Sequence, residues 1–233
     1  MLYFTLLMAK AFIVAFEGGD GSGKGTQFEL LKARSVADGL AIAAFDFPQY
    51  GKPSAEPIEA NLRGEIRLSP LATAKLYADD RLAAKDEIMT ATSTADLVLF
   101  NRYVASNIAY QGARTNDQHE REAIIEKIED LEYVTNGLPK PDLTIVLSVE
   151  PRIAQQHIDK KEERSYTTGR DVYEADLSLQ TRAAHMYHEL CVSRDDYIEV
   201  FCMLNEETMR SREEIHAEVW ELVRRTLAKR NEN

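Results

Sequence analysis

A glycine-rich segment between an apolar run and a helical stretch constrains the fold of this chain more than any other feature. The segment, residues 18–26, reads GGDGSGKGT. The apolar run before it, residues 11–16, predicts a buried strand, and a helix is predicted from about 23 to 38. A strand followed by a glycine loop and a helix is the context that a phosphate-binding loop requires.

The residue types in this loop suit a nucleotide phosphate. Glycines let backbone N–H groups curl around phosphate oxygens, and the amino terminus of the helix adds partial positive charge. Lys24 is long enough to reach the β- and γ-phosphates. The strict motif has Ser or Thr directly after the lysine, whereas this chain has Gly25 there and Thr26 one residue later. The predicted ATP-binding residues are Gly19, Asp20, Gly21, Ser22, Gly23, Lys24, Gly25 and Thr26.

Strands and helices alternate along the rest of the chain. Further strands are predicted at 41–45, 96–100, 143–149 and 197–201, and prolines and glycine mark a loop at 48–57. Helices are predicted at 70–92, 103–112, 117–135, from 151, at 172–193 and at 211–229. This order predicts an α/β fold of the three-layer P-loop NTPase type, a five-stranded parallel sheet with helices on both faces. The charged stretch at about 158–171 predicts a short lid.

Composition and charge exclude several classes of protein. The chain has 233 residues, 28 basic and 39 acidic, so its formal net charge is −11. Such a chain is a poor candidate for binding duplex DNA, although a small basic pocket can still hold a phosphate. Its 2 cysteines are too few for a disulfide framework or zinc cluster and predict buried thiols in a reducing cytoplasm. Residues 1–10 are interpreted as an apolar leader without function, too short to span a membrane, and 11–233 as a single domain that contains the phosphate-binding loop.

Five further motifs follow the phosphate-binding loop. They are FPQYG at 47–51, ADDR at 78–81, NRYVASNIAYQ at 101–111, PDLTIVL at 141–147 and DVYE at 171–174. With the loop, and in this order, they make the chain resemble the thymidylate (dTMP) kinase family of P-loop nucleoside monophosphate kinases from about residue 10 to the carboxyl end. The resemblance implies transfer of the ATP γ-phosphoryl group to dTMP with Mg²⁺, giving dTDP for dTTP biosynthesis. It also implies a homodimer.

The resemblance assigns site residues position by position. Arg102 matches an arginine that grips the acceptor phosphate, Arg81 one near the thymine, and Tyr77 an aromatic that stacks on the base. Asn107 and Tyr110 match contacts to base and sugar, with Tyr110 where a 2′-hydroxyl would clash. The implied dTMP-binding residues are Asp20, Phe47, Tyr50, Tyr77, Arg81, Arg102, Asn107, Tyr110, Gln111, Asp171 and Glu174. For Asp171 and Glu174, solvated carboxylates at a helix start are the alternative interpretation.

The phosphate loop carries no arginine, so the resemblance points to the family members that place catalytic arginines on the lid. The implied catalytic residues are Lys24, Asp20, Arg102, Arg164 and Arg170, and the implied metal ligands are Thr26, Asp20 and Glu174.

Two positions depart from the family, namely Gly25 and Asn101, where the family nearly always has aspartate. They leave open the alternative of a nucleotide-binding regulatory protein with weak turnover. A second open alternative keeps the chemistry but changes the acceptor to another pyrimidine monophosphate, such as dUMP, or to several of them.

Overall fold

A five-stranded parallel sheet forms the centre of the computed structural model, which describes residues 10–158 and 171–231. Its strands are β1 (Phe12–Gly18), β2 (Ile42–Asp46), β3 (Leu97–Asn101), β4 (Leu143–Ser148) and β5 (Tyr197–Phe201). They lie in the order β2-β3-β1-β4-β5, and every neighbouring pair is parallel. The predicted sheet is confirmed.

Helices cover both faces of the sheet. They are α1 (Lys24–Ala37), α2 (Glu56–Leu62), α3 (Pro70–Ala83), α4 (Lys85–Thr94), α5 (Val104–Gly112), α6 (Gln118–Glu129), α7 (Pro151–Ile158), α8 (Leu177–Ser193) and α9 (Arg212–Asn231), with a π-helix at Asp130–Thr135. Helices α1 and α9 pack on one face, and α3, α4, α5, α6 and α8 pack on the other. No described helix is both long and apolar enough to cross a membrane.

Strand β1 shows why this sheet has two cores. All seven of its residues are buried, as expected for a central parallel strand covered on both sides. Because side chains alternate along a strand, Phe12, Val14 and Phe16 pack against α1 and α9, whereas Ile13 and Ala15 pack on the opposite face. Each large side chain buried in this way contributes about 1.5–3 kcal/mol to folding.

Two sequence-based boundaries are wrong because tertiary packing overrides local pattern. The predicted helix at 70–92 is two helices, α3 and α4, which meet at the buried Ala84. No Gly or Pro marks this break, and the residues around it are good helix formers. The local sequence therefore predicts one unbroken helix. The predicted loop at 48–57 leads into α2, which has Pro57 in its first turn, where a missing N–H costs nothing.

Two other helices differ from prediction at their ends. The segment predicted as helix 117–135 is α-helical only to Glu129 and continues as the π-helix. The segment predicted as helix 172–193 begins as a turn, and α8 starts at Leu177, where the Asp176 side chain accepts a hydrogen bond from the backbone N–H of Leu179. The predicted leader lies outside the described residues, apart from residue 10. Most of the predicted lid, including Arg164 and Arg170, also lies outside them.

The register of the sheet brings three chain segments to one edge. Asn101, the last residue of β3, pairs with Phe16 of β1 on one side and with Asp46 of β2 on the other. Because parallel strands end at the same edge, the glycine loop after β1 lies beside Asn101, Arg102 and Asp46. Crevices at the carboxyl ends of such strands are the usual ligand sites of open α/β sheets.

Candidate active site

The glycine loop has the backbone conformation that its sequence predicts. Gly21 and Gly23 have φ angles of 78° and 89°, in the left-handed region that favours glycine. A Cβ atom at Gly21 would lie 2.0 Å from the carbonyl oxygen of Ala154, so a side chain cannot fit there. Lys24 begins α1 and is buried, and its Nζ donates a hydrogen bond to the carbonyl of Gly19 over 2.6 Å. Gly25, by contrast, faces open space.

Asp20 of this loop forms an ion pair with Arg102, the residue that follows β3. Arg102 has a φ of 63°, unusual for a residue with a side chain, and its Nη1 donates to Ser106 Oγ over 3.1 Å. Although burial alone would lower it, the Asp20 carboxylate raises the pKa of Arg102 well above its usual value. The Tyr110 hydroxyl donates to Asp20 Oδ2 over 2.7 Å. Asp20 thus joins the phosphate loop to Arg102 and Tyr110.

Glu17, which the sequence analysis did not single out, is hydrogen-bonded to Ser106 and so supports the cluster of Arg102, Asp20 and Tyr110. It is fully buried at the end of β1 and accepts hydrogen bonds from the backbone N–H of Tyr103 (2.7 Å), the Tyr187 hydroxyl (3.2 Å) and Ser106 Oγ. Ser106 in turn accepts from Arg102. The signal that could have identified Glu17 is a carboxylate inside an otherwise apolar strand, because a buried charge needs partners.

A cavity of about 540 Å³ opens beyond this cluster. All but one of the residues assigned to dTMP line it, namely Asp20, Phe47, Tyr50, Tyr77, Arg81, Arg102, Asn107, Tyr110, Gln111 and Asp171. These residues come from the ends of β1, β2 and β3, from α3 and α5, and from the turn before α8. Tyr77, the aromatic expected to stack on a base, is half-buried and packs against Ile58 and Leu62 of α2. One wall of the cavity is therefore aromatic.

Arg81, which lines this cavity, forms a buried ion pair with Glu132, which does not line it. Arg81 and Glu132 are 2% and 0% exposed and pair directly. Burial alone would lower the pKa of Arg81, but the Glu132 carboxylate raises it above its usual value. Asn107 Nδ2 donates to the carbonyl of Ala74 over 2.9 Å and to Glu132 Oε1 over 3.3 Å. Glu132 lies in the π-helix, and the sequence analysis did not identify it.

Glu174 is the predicted dTMP residue that the structure does not bring to this cavity. It lines a neighbouring cavity with Gly19, Asp20 and Gln180, and its Oε2 accepts from the backbone N–H of Asp171 over 3.3 Å. Asp171 Oδ1 accepts from the backbone N–H groups of Tyr173 and Glu174, both over 2.9 Å. Both carboxylates are buried, so the alternative of solvated helix-start residues is wrong for them.

A third cavity, of about 1120 Å³, lies over the glycine loop. Its lining includes Gly21, Gly23, Lys24, Gly25 and Thr26 from the loop, and Asp46, Asn101 and Arg102 from the neighbouring strand ends. Asp20, Phe47, Tyr50 and Arg102 line both this cavity and the 540 Å³ cavity. The two cavities therefore meet at the Arg102–Asp20 pair.

The cavity over the loop offers oxygen ligands of the kind that Mg²⁺ prefers. Thr26, Asp46 and Asn101 all line it. Asn101 Oδ1 is buried and has no hydrogen-bond partner among the described residues, so it is free to accept from a metal-bound water. The described residues contain no group of three or more His, Cys, Asp or Glu able to hold a metal ion by themselves. Such a site suits a cation that arrives with a nucleotide and keeps part of its water shell.

Comparison with known proteins places the chain in a family. The family model described as thymidylate kinase matches residues 16–219. The chain belongs to the thymidylate kinase family. A thymidylate kinase of Mycobacterium tuberculosis is 36% identical over 182 residues, which are 76% of this chain and 85% of the relative. A thymidylate kinase of Halothermothrix orenii is 32% identical over 94% of this chain and 100% of the relative. The solved thymidylate kinase of Candida albicans shares the fold, with a TM-score of 0.72 at 21% identity over 94% of each chain.

The structure groups most of the residues that the resemblance assigns around the two adjoining cavities. Six of the eight positions assigned to the phosphate loop line the cavity over the loop, whereas Gly19 and Ser22 line the neighbouring cavity that holds Glu174. The positions assigned to dTMP, apart from Glu174, line the 540 Å³ cavity. The residues that the resemblance left out are Glu17, Glu132 and Asp46. Glu17 reaches Arg102 through Ser106, and Glu132 holds Arg81, both of which belong to the assigned set. Asp46 accepts a hydrogen bond from Asn101, the position that departs from the family.

Proposed function

We propose that this chain transfers the γ-phosphoryl group of ATP to the 5′-phosphate of dTMP, giving ADP and dTDP. Family membership supports this activity. The structural observation that carries it is the meeting of two cavities at Arg102 and Asp20. One cavity has a phosphate-binding loop and the other has an aromatic and hydrogen-bonding wall. This is the arrangement needed for two nucleotides whose phosphates face each other.

On the donor side, the loop backbone and Lys24 bind the phosphates of ATP. Lys24, Gly25 and Thr26, the first residues of α1, line the cavity over the loop, so the helix amino terminus and the Lys24 charge both favour an anion there. Negative charge spreads over the phosphoryl oxygens as transfer proceeds, so these groups stabilise the transition state.

On the acceptor side, Arg102 holds the dTMP phosphate. Its guanidinium is fixed by Asp20 and Ser106, so little motion is lost when a phosphate binds. Tyr77 stacks on the thymine, Arg81 and Asn107 bind the base edge, and Tyr110 packs against the deoxyribose. The acceptor oxygen is then held in line with the γ-phosphate, which is the main catalytic requirement of phosphoryl transfer.

Mg²⁺ and the lid complete the proposed site. Thr26, Asp46 and Asn101 are the described residues that would hold the hydrated cation, with Asp20 and Glu174 as the further ligands implied by the resemblance. Mg²⁺, when bound, neutralises charge on the β- and γ-phosphates. Arg164 and Arg170, which lie outside the described residues, are proposed to reach the transferred phosphoryl group on lid closure and to exclude water.

A coupled assay for ADP release, run on a panel of nucleoside monophosphates, tests this function. We expect turnover with dTMP, slower turnover with dUMP and little with dCMP or dGMP. Arg102→Ala should raise the KM for dTMP at least about tenfold, because it removes the charged phosphate ligand. Nucleotide binding without turnover on any acceptor would show a regulatory protein instead. Turnover with dUMP above dTMP would show a different acceptor.

Two further properties are proposed from the resemblance. We expect a homodimer, which sedimentation measures directly. We also expect the protein to act in the cytoplasm, where its substrates are made, and fractionation of cells expressing the chain tests this.

A further inference from the structure

We propose that Glu132 is the residue that sets the hydrogen-bonding polarity of the acceptor-base pocket and so selects an imide base, thymine or uracil, over cytosine. The inference rests on the proposed function, because it concerns the acceptor end of the same site. Glu132 does not line the cavity and is fully buried behind it. It is therefore a positioning residue that acts through Arg81 and Asn107.

The first step is the orientation of Arg81. Its Nε donates to both Glu132 oxygens, over 3.1 and 3.0 Å, and its Nη2 also pairs with Glu132. The Nη1 group has no partner among the described residues, and Arg81 lines the cavity. A ligand in the cavity therefore meets a guanidinium whose remaining nitrogen can only donate.

The second step is the orientation of the Asn107 amide. An amide has a donor end and an acceptor end, and its neighbours decide which one faces a ligand. The Nδ2 group donates to the Ala74 carbonyl and to Glu132 Oε1, two groups that can only accept. The Oδ1 atom is buried and has no partner among the described residues, although Asn107 lines the cavity. This oxygen is the acceptor offered to a base.

Together these two side chains present a donor and an acceptor to the same base edge. Thymine and uracil carry the complement, an acceptor at O4 next to a donor at N3–H. Cytosine carries the reverse, a donor at N4 next to an acceptor at N3. Binding dCMP would place donor against donor and acceptor against acceptor, and sites with unmatched buried polar groups reject such ligands strongly. One carboxylate contacts both reading residues, so Glu132 links their orientations.

The position of Glu132 in the fold supports this role. It lies in the π-helix after α6, and its backbone carbonyl accepts from the N–H of Leu138 over 3.0 Å. The Arg81 guanidinium carbon lies 6.0 Å from the centre of the Tyr103 ring, and the Tyr103 hydroxyl donates to Pro139 O over 3.0 Å. The carboxylate is thus held in a packed region, and a π-turn at a site of this kind is common at functional positions.

The test compares Glu132→Gln with Glu129→Gln. Glu129 ends α6 and pairs with Arg194 over 2.7 Å, so the control removes a Glu–Arg pair from the same segment but away from the cavity. We expect Glu132→Gln to raise the KM for dTMP about tenfold or more and to lower the dTMP-to-dCMP ratio of kcat/KM about tenfold or more. The KM of Glu132→Gln for ATP should stay at the wild-type value. In Glu129→Gln, the KM for dTMP and the dTMP-to-dCMP ratio of kcat/KM should also stay at wild-type values. Equal losses for dTMP and dCMP in Glu132→Gln would overturn the proposal.

A second variant guards against loss of the fold. Glu132→Asp keeps the charge that Arg81 needs but retracts the carboxylate, so it cannot contact Arg81 and Asn107 as Glu132 does. We expect a folded protein with a lowered dTMP-to-dCMP ratio, and a folded Glu132→Asp with wild-type discrimination would overturn the proposal.

The wild-type chain also tests the polarity of the pocket directly. The analogue N3-methyl-dTMP lacks the N3–H donor, so it should bind at least about tenfold more weakly than dTMP. Equal binding of the two would contradict an acceptor at Asn107 Oδ1. A wild-type chain that prefers dUMP to dTMP would contradict the proposed acceptor but support this inference, whereas one that prefers dCMP would overturn it.

Discussion

Asn101 Nδ2 donates a hydrogen bond to Asp46 Oδ1 over 3.1 Å, across the carboxyl ends of the neighbouring strands β3 and β2. The resemblance to the family implies aspartate at the position of Asn101. The carboxylate beside Asn101 in this chain is that of Asp46, and both residues line the cavity over the phosphate loop. The departure at Asn101 is therefore accompanied by a negative charge in contact with it.

Asn101→Asp tests what this pair does. The change places two carboxylates in contact, and two like charges at this distance repel by about 1 kcal/mol in bulk water and by more where they are partly buried. We expect a lower melting temperature without metal, a larger gain in melting temperature on adding Mg²⁺ and ADP than in the wild type, and a lower Mg²⁺ concentration for half-maximal rate. Calorimetry and a magnesium titration at saturating ATP and dTMP measure these quantities.

A matched variant separates metal binding from general charge. Glu29→Gln removes a nearby charge on α1 that pairs with Lys32 and not with Asn101. It should leave the Mg²⁺ dependence unchanged, whereas Asp46→Asn should raise the Mg²⁺ requirement. Superimposable titration curves for Asn101→Asp, Asp46→Asn and the wild type would mean that neither residue senses the cation.

Lys24→Ala is expected to abolish phosphoryl transfer while keeping the fold. The rate should fall at least about 100-fold, because a fixed positive charge is lost from the transition state. Removing the hydrogen bond from the charged Lys24 Nζ to Gly19 costs about 1.5–3 kcal/mol of stability, which is less than the whole free energy of unfolding of a typical domain. Lys32→Ala, an exposed change on the same helix, is the control. A Lys24→Ala variant with near-wild-type kcat would contradict the assignment of the phosphate loop.

Arg164→Ala and Arg170→Ala are expected to lower kcat far more than dTMP affinity. Lid charge acts mainly on the transition state, so kcat should fall about 100-fold while the dissociation constant of dTMP changes less than about threefold. Arg225→Ala, which removes an exposed ion pair with Glu221 on α9, serves as control. A rise in the KM for dTMP with unchanged kcat would make these arginines binding groups instead.

Alkaline pH should unfold the protein through its buried tyrosines. Burial raises the pKa of Tyr110 and Tyr187 well above the usual value of 10.0. A raised pKa means that the native state holds its proton more tightly than the unfolded chain. The stability from these hydroxyls is therefore kept below pH 10 and lost as the pH rises further.

Ultraviolet absorbance and circular dichroism followed together against pH measure this transition. We expect the tyrosinate signal of the buried rings to appear together with loss of helical signal. Below pH 10 the Tyr110 hydroxyl stays protonated, so its titration should not lower kcat/KM for dTMP. The plot of kcat/KM against pH for Tyr110→Phe should therefore have the same alkaline limb as that of the wild type. Smooth titration of all tyrosines near pH 10 with intact helices would contradict the burial of these side chains.

The sequence alone predicted the parallel sheet and the phosphate loop because both depend on local pattern. The apolar run of β1 has the composition of a strand covered on both faces, and Gly21 and Gly23 have backbone angles that glycine adopts at least cost. The family motifs also identified Arg81, Arg102 and Asn107 as candidate site residues. Each of these signals lies within one element or one turn, where neighbouring residues determine the conformation.

Only the tertiary structure decided which side chains act on one another. Glu132 is 51 residues from Arg81, and Asp46 is 55 residues from Asn101, so no local pattern links either pair. Likewise, the break between α3 and α4 falls at Ala84, where the local sequence favours an unbroken helix. Buried charges are retained only where a partner compensates for their lost hydration, and in this chain that partner comes from a distant part of the fold.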